Sequence, residues 1–197
     1  MDKLSLEWKE KFEHVWEAGN YRLGSTGQRL VPLFLEYVTN HHGGVVINDY
    51  GCGTGRADVD LHRCGINRIN MVDIAENALE PAARAILGNE ITFTLASLWE
   101  LPEDFPFAHW GFCTNVLMTI PPEKIDRALM EIWRTCDNLF MEVYDWADIR
   151  LGHDLTATKG SGEWWRERLA AFWATVKPIK SIEDHRRYIF VCNRCRP

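Results

Sequence analysis

A short glycine-rich segment near residue 50 constrains the fold of this chain more than any other feature. The apolar run 45–47 leads to Asp49, and Gly51, Gly53 and Gly55 follow at every second position. Such a run is typical of a buried parallel strand, because strands that are covered on both faces lose the alternation of apolar and polar side chains. Glycines directly after the strand let the backbone turn into a helix and approach a ligand closely. The segment therefore predicts an α/β fold with a ligand site at the end of its first strand.

A second acidic residue stands at the end of the next predicted strand. The apolar run 69–72 ends in Asp73. An acid about 20 residues beyond such a glycine segment, at the tip of the second strand, is placed to accept hydrogen bonds from two ribose hydroxyls. We therefore expect the site to bind an adenosine.

The spacing of the glycines indicates which adenosine ligand is bound. Dinucleotide sites usually have G-x-G-x-x-G and hold a pyrophosphate at the start of the following helix. Here Asp49 directly precedes the glycines, and a carboxylate at that place repels a pyrophosphate but attracts an ammonium group. The phosphate-binding lysine of G-x-x-x-x-G-K-S/T is absent, which argues against a nucleoside triphosphatase. A nicotinamide-dependent oxidoreductase remains a less favoured alternative.

The segment from Asp49 to Gly55, followed by Asp73, resembles the class I S-adenosylmethionine-dependent methyltransferases. The resemblance implies methyl transfer from S-adenosylmethionine, with S-adenosylhomocysteine as the product. It also implies one three-layer α/β domain, with a seven-stranded, mostly parallel sheet, a C-terminal antiparallel hairpin and helices on both faces. The residues expected to bind the cofactor are Asp49, Gly51, Cys52, Gly53, Gly55, Asp73, Ile74, Ser97, Leu98, Asn115 and Arg22.

Two of these residues need separate comment. Ser97 stands where the family usually has an aspartate that binds the adenine amino group, so this contact is expected to be weaker, although a hydroxyl still accepts a hydrogen bond. Arg22 lies in a tight loop, and a guanidinium matches the shape of the cofactor carboxylate. The alternative for Arg22 is an exposed loop arginine with no such role.

We divide the single predicted domain, residues 1–197, into three parts: an N-terminal helical cap (1–44), a cofactor-binding core (45–145) and an acceptor-side loop, helix and closing hairpin (146–197). Helical periodicity and capping signals, including Ser25 three residues before Gln28, predict helices over 4–18, 25–38, 56–64, 75–87 and 163–175, and another that ends at Cys136. Later strands are predicted at 91–95, 112–118, 138–145, 176–183 and 187–192.

The predicted fourth strand, 112–118, looks like the corresponding motif of small-molecule methyltransferases. Adenine- and cytosine-amino methyltransferases have prolines directly after an Asp or Asn, and then an aromatic residue. Here Pro121 does not follow Asn115 directly, and Glu123 replaces the aromatic residue. The Pro-Cys nucleophile of cytosine-C5 enzymes is also missing. Both absences argue against methylation of DNA bases, as does the formal net charge of −6, because nucleic-acid binding relies on Lys and Arg.

The acceptor is expected to lie against the segment after the fifth strand, 146–165, which is the longest predicted irregular stretch. Its alternative is a surface loop whose tryptophans pack on the sheet edge. A general base is needed only if the acceptor must lose a proton, and the candidates are His153, Tyr144 and Asp145. Trp99, Trp146 and Trp165 are predicted to line the acceptor site, since open α/β sheets bind ligands at the carboxyl ends of their strands. Trp8 and Trp16 are interpreted as core residues.

Composition excludes several other classes. No apolar run approaches the roughly 18 residues that a membrane helix needs, and the start of the chain is not typical of a signal peptide, so we expect a cytoplasmic protein. The six cysteines are then expected to be reduced thiols, and the lone C-x-x-C at 192–195 is not expected to bind a metal. The sequence predicts that the acceptor is a small molecule or an exposed group on a larger one, and it leaves the oligomeric state open. The main alternative is a catalytically idle regulatory or partner-binding protein that binds the cofactor.

Overall fold

The structure is a computed structural model that describes residues 1–18, 21–22, 27–38, 44–150, 153–179 and 186–194, without the side chains of Arg150 and His153. Its strands are β1 (Val46–Tyr50), β2 (Arg68–Asp73), β3 (Ile91–Leu95), β4 (Ala108–Thr114), β5 (Cys136–Tyr144), β6 (Ile149–Arg150), β7 (His153–Asp154), β8 (Thr175–Ile179) and β9 (Arg187–Asn193). Its helices are α1 (Lys3–Glu17), α2 (Val31–Leu35), α3 (Arg56–Arg63), α4 (Pro81–Ala85), α5 (Ile125–Thr135) and α6 (Gly162–Ala170).

Seven of the strands form one sheet in the order β3-β2-β1-β4-β5-β9-β8. Strands β1 to β5 are parallel, and β9 runs antiparallel to both of its neighbours. The predicted seven-stranded sheet with a closing hairpin is confirmed. The chain order reverses between β1 and β4, and in open α/β sheets such a switch point opens a crevice for ligands at the carboxyl ends of the strands.

Apolar side chains cover the sheet on both faces. On one face, Leu129 and Ile132 of α5 and Trp165 and Leu169 of α6 are fully buried. On the other face, Phe34 of α2 and Leu61 of α3 are fully buried. These helices explain why β1 is buried along its whole length, as its continuous apolar run predicts.

The structure corrects two predicted elements in the core. The helix predicted at 75–87 is divided into a 3-10 turn, Glu76–Ala78, and the short helix α4, which begins at Pro81 because proline lacks an N–H and fits only the first turn of a helix. The strand predicted at 112–118 is shifted to Ala108–Thr114. It ends there because Asn115 adopts a positive φ of 58°, which turns the chain out of the sheet.

Other differences concern the two ends of the chain. Residues 25–38 contain a 3-10 turn, Gly27–Leu30, before α2, and Ser25 of the predicted capping box lies outside the described residues. The helix predicted at 163–175 ends at Ala170. The predicted irregular segment after β5 contains the small hairpin of β6 and β7. Within the parts of the chain that the structure describes, no helix is long and apolar enough to cross a membrane.

Candidate functional site

A pocket lies over the carboxyl ends of β1 to β4, at the switch point of the sheet. The empty space that it encloses is about 930 Å³ when the space open to solvent is counted. It brings together ten of the residues that the sequence predicts for the site: Asp49, Gly51, Cys52, Gly53, Asp73, Ile74, Ser97, Leu98, Trp99 and Asn115.

The glycine segment forms the floor of this pocket in a conformation that needs glycine. Gly51, Gly53 and Gly55 all have positive φ angles, of 78°, 52° and 70°. A Cβ atom at Gly51 would lie 2.4 Å from Val116, and one at Gly55 would lie 2.4 Å from Ala83. The alternating glycines therefore bring the backbone close to both the pocket and the packing behind it, which a side chain would prevent.

Asp73 connects the tip of β2 to the glycine segment. Its Oδ2 accepts a hydrogen bond of 2.8 Å from the Gly53 N–H, and its Oδ1 accepts one of 2.9 Å from the Ala75 N–H. Burial raises the pKa of this carboxyl group, and the backbone N–H groups of residues 53, 74 and 75 oppose that shift. Asp73 is thus held rigidly at the place where the sequence predicts a ribose.

Asp49 lines the pocket at the end of β1, and it has a buried acidic neighbour that the sequence reasoning missed. Asp49 is 3% exposed, and Asp58 in the first turn of α3 is fully buried. Burial raises the pKa of both carboxyl groups, and their mutual proximity raises that of Asp49 further. The available signal for Asp58 is an acid between the apolar residues Ala57 and Val59.

Ser97 is tied to the first helix. Its hydroxyl group shares a hydrogen bond of 3.0 Å with the hydroxyl of Ser5, and both side chains are buried. The Ser5 hydroxyl also donates to Glu100 over 3.1 Å. The residue predicted to lie near the adenine therefore also anchors α1 over the pocket.

An aromatic wall, which we define as Trp8, Phe12 and Trp16 of α1, covers the pocket. These residues are four positions apart, so they share one face of the helix, and all three line the pocket. The Trp8 Nε1–H donates to the Thr119 carbonyl over 2.9 Å, and a Cβ atom at Gly53 would lie 3.2 Å from the Trp16 ring. The interpretation of Trp8 and Trp16 as core residues only is incomplete, although the four-residue spacing was visible in the sequence.

Arg22 lies beside this wall. Its Nη1 donates to the Ala78 carbonyl over 2.7 Å and its Nη2 to the Asn77 carbonyl over 2.5 Å, while its guanidinium lies 5.7 Å from the centre of the Trp16 ring. In this structure Arg22 therefore connects the N-terminal cap to the turn after β2. Its predicted contact with the cofactor carboxylate stays a prediction.

Two candidates for a general base, Tyr144 and Asp145, lie near the end of β5, outside the described residues that line the pocket. Tyr144 donates to Asp148 over 3.2 Å, and burial together with Asp148 raises its pKa, which favours the neutral phenol. Asp145 accepts hydrogen bonds from Arg186, at 2.5 Å, and from the Tyr188 hydroxyl, at 3.1 Å. The backbone of His153 belongs to β7, and its side chain is not among those described. Their predicted roles stay predictions.

Two predicted acceptor residues also lie away from the pocket lining. Trp146 stacks on Tyr144, with ring centres 4.3 Å apart, and carries the guanidinium of Arg187 at 5.0 Å. Trp165 is fully buried in the core beneath α6. This geometry favours a structural role for both, whereas Trp99 does line the pocket.

Comparison with known proteins adds an independent finding. Residues 47–138 match the family model described as "Methyltransferase domain". No curated protein matches the sequence.

Several solved structures share the fold. Magnesium protoporphyrin IX methyltransferase from Synechocystis PCC 6803, with bound SAM, is 16% identical over 99% of each chain, with a TM-score of 0.69. The 1,6-didemethyltoxoflavin-N1-methyltransferase of Burkholderia thailandensis is 18% identical, with a TM-score of 0.70 over 95% of this chain and 86% of that one. The cyclase SpnF is 22% identical, with a TM-score of 0.59 over 78% of this chain and 58% of that one. The TM-scores establish a common fold, and at identities this low the similarity shows the fold alone.

Proposed function

We propose that this chain is a class I S-adenosylmethionine-dependent methyltransferase that methylates a small molecule with a flat or apolar face. The observation that carries the proposal is the pocket at the switch point of the sheet, which Asp49, the glycine segment and Asp73 line together with the aromatic wall. The predicted cofactor, S-adenosylmethionine, is the one that this family uses.

The residues of the pocket fit this cofactor. Asp73 presents a buried carboxyl group beside glycines whose missing side chains leave room for a ligand at the backbone. Ile74 and Leu98, the residues that follow the tip of β2 and Ser97, add apolar surface for an adenine ring. Asp49 supplies an acid for an ammonium group, whereas a pyrophosphate would be repelled there, which disfavours the oxidoreductase alternative.

When bound, S-adenosylmethionine supplies a methyl group on a sulfonium, which is already a good leaving group. The chain is therefore left with the tasks of positioning and of excluding water. Asp73 and the glycine segment hold the adenosine end, and Asn115 lies at the tip of β4 beside them. The aromatic wall covers the pocket and keeps water away from the reacting atoms.

The lining of the pocket indicates the class of acceptor. Among the described residues, the charged side chains that line it are Asp49 and Asp73, both of which we assign to the cofactor. The remaining lining is rich in aromatic rings, namely the aromatic wall together with Tyr21 and Trp99. Such surfaces favour a flat or apolar acceptor. Two structures with the same fold belong to methyltransferases named for magnesium protoporphyrin IX and 1,6-didemethyltoxoflavin, which are small molecules.

A second candidate is a protein that binds the cofactor without transferring its methyl group. The similarity to the cyclase SpnF supports this second candidate, because that protein has the same fold and is named for a reaction other than methyl transfer. The two candidates differ in whether S-adenosylhomocysteine accumulates with an acceptor.

The proposal is tested first by binding and then by turnover. Calorimetry on ligand-free, folded protein should detect S-adenosylmethionine and S-adenosylhomocysteine, with no binding of nicotinamide dinucleotides. Asp73→Ala should weaken binding of both ligands at least tenfold, because each charge-assisted hydrogen bond contributes on the order of 1.5–3 kcal/mol.

A panel of flat heteroaromatic and charged aliphatic acceptors then reports on the reaction. Formation of S-adenosylhomocysteine with the aromatic members supports the proposal. Binding of the cofactor with no turnover on any member points to the idle candidate, and turnover only with charged aliphatic members overturns the proposed acceptor class.

A further inference from the structure

Asp58 is a buried carboxyl group to which the proposed chemistry assigns no role. It is fully buried, and neither of its carboxyl oxygens meets an N–H or hydroxyl donor among the described residues. Burying a carboxylate without a partner is costly, so this position calls for a physical explanation.

The group that Asp58 does contact is the carboxyl of Asp49. Asp49 lines the pocket, whereas Asp58 lies behind it in the first turn of α3. Two carboxyl groups in contact at a buried site cannot both be ionised, because their repulsion is poorly screened there. The pair therefore shares a proton, which one carboxyl group donates to an oxygen of the other.

Among the residues that the structure describes, the other titratable groups that face the pair are also acids. They are Asp73 at the tip of β2, Cys52 in the glycine segment and Cys113 on β4. Burial raises the pKa of both thiols, which keeps them neutral. None of these described groups is a cation, so an ammonium group on a ligand would supply the positive charge that the pair lacks.

We propose that Asp58 is a positioning residue for the ammonium group of the cofactor, since it holds the shared proton when Asp49 carries the negative charge. An ammonium group against Asp49 favours the ionised form of that carboxyl, so the proton stays on Asp58. The Asp58 O–H then donates a hydrogen bond to the Asp49 carboxylate and fixes the orientation of the anion. Any second proton of the pair leaves for solvent on binding. This inference rests on the proposed function, because only a ligand with an ammonium group uses the arrangement.

The test compares two ligands and two variants by calorimetry between about pH 5 and about pH 7, below the pKa of the ligand's own α-amino group, in buffers of different ionisation enthalpy. S-adenosylmethionine carries the ammonium group, and 5′-methylthioadenosine lacks it. In the wild-type protein, affinity for S-adenosylmethionine should rise with pH and binding should release protons. The affinity for 5′-methylthioadenosine should be flat over the same range.

Asp58→Asn keeps the shape and an N–H donor but removes the titrating group. The rise in S-adenosylmethionine affinity should move to lower pH by about one unit or more, because Asp49 loses its acidic neighbour. The matched control is Asp60→Asn on the same helix. Asp60 bonds Gln28 and Arg63 at the surface, so its loss should leave the profile unchanged. If Asp58→Asn does not fold, Asp58→Leu tests the same loss of proton release.

The outcomes separate the two proposals. An unchanged pH profile in a folded Asp58 variant overturns this inference while leaving cofactor binding intact, as does an equal pH-dependent rise for 5′-methylthioadenosine in the wild type. Failure of the folded wild-type protein to bind either ligand overturns the proposed function itself.

Discussion

The helices α1 and α6 share two sequence features, but their tryptophans lie in different parts of the molecule. Each begins with a side-chain cap: the Ser5 N–H donates to the Asp2 carboxylate over 2.8 Å, and the Trp164 N–H donates to the Ser161 hydroxyl oxygen over 3.2 Å. Each also carries two tryptophans. Those of α1 line the pocket, whereas in α6 Trp165 is fully buried in the core.

Spacing and position explain the difference. Trp8 and Trp16 share one face of α1 with Phe12, and that face lies over the carboxyl ends of the strands. Trp164 and Trp165 are adjacent and point in different directions, with ring planes 86° apart, and their helix packs beside β8 and β9. Whether an aromatic residue lines the pocket therefore depends on which part of the sheet its helix packs against. The number of tryptophans nearby is a poorer guide.

The largest effect that can break this comparison is expected from Trp165→Ala. Because the ring is fully buried, its loss should lower the free energy of unfolding by about 3–5 kcal/mol, with S-adenosylmethionine affinity within about twofold of the wild type. Urea denaturation followed by circular dichroism measures the first quantity, and calorimetry the second. Normal stability combined with lost turnover would instead restore Trp165 as an acceptor residue.

The counterpart in α1 is Trp16→Ala. Its ring lies against Gly53 in the pocket, so we expect the variant to bind S-adenosylmethionine about tenfold more weakly, or about 1.4 kcal/mol. Trp146→Ala is the matched control, because that ring stacks on Tyr144 away from the pocket lining. Equal losses of affinity in the two variants would show that the distinction between the regions is mistaken.

A smaller effect is expected where only one hydrogen bond is removed. Trp8→Phe keeps a ring in the aromatic wall but loses the bond from Nε1 to Thr119, and should lower the free energy of unfolding by about 1 kcal/mol. The Nε1 atom of Trp133 has no hydrogen-bond partner among the described residues, so Trp133→Phe should be close to neutral. Thermal unfolding of the two variants side by side checks the contrast, which fails if both lose the same amount.

The smallest effects should come from the two caps. Asp2→Ala and Ser161→Ala should each destabilise by about 1 kcal/mol or less near neutral pH. The Ser5 N–H and Lys124 lower the pKa of Asp2, so its contribution is present above the unfolded pKa near 3.9 and declines as the pH falls below that value toward the lowered folded pKa. The contribution of Ser161 does not titrate. The difference in melting temperature between Asp2→Ala and the wild type should be smaller at about pH 3 than at about pH 7, while the deficit of Ser161→Ala should be the same at both pH values.

The parts of the fold and the site that the sequence predicts are those fixed by local spacing. Asp49, the glycines and Asp73 stand at the ends of two adjacent strands, so the parallel pairing of β1 and β2 brings them together without further information. The limits of α4 and β4 were harder to place, because they depend on how Pro81 and Asn115 shape the backbone.

Other features depend on contacts that no local pattern reports. The Ser5–Ser97 hydrogen bond joins residues that lie 92 positions apart, and it exists only because α1 docks across the tip of β3. Asp58 looks like an ordinary acid in the first turn of a helix, and its burial follows from the packing of α3 behind β1. The burial of Trp165 likewise depends on the face of the sheet on which α6 packs.

The docking of α1 also has a consequence for how the chain folds. Its contacts reach from Asp2 to Lys124 and from Trp8 to Thr119, separations of 122 and 111 positions. Contacts of such long range form slowly, because a large loop must close before they stabilise anything. At synthesis rates of about 5–20 residues per second, the first helix waits several seconds for its partners to emerge. During that interval its tryptophans face solvent. We therefore expect the nascent chain to aggregate most readily through the aromatic wall, which later covers the pocket.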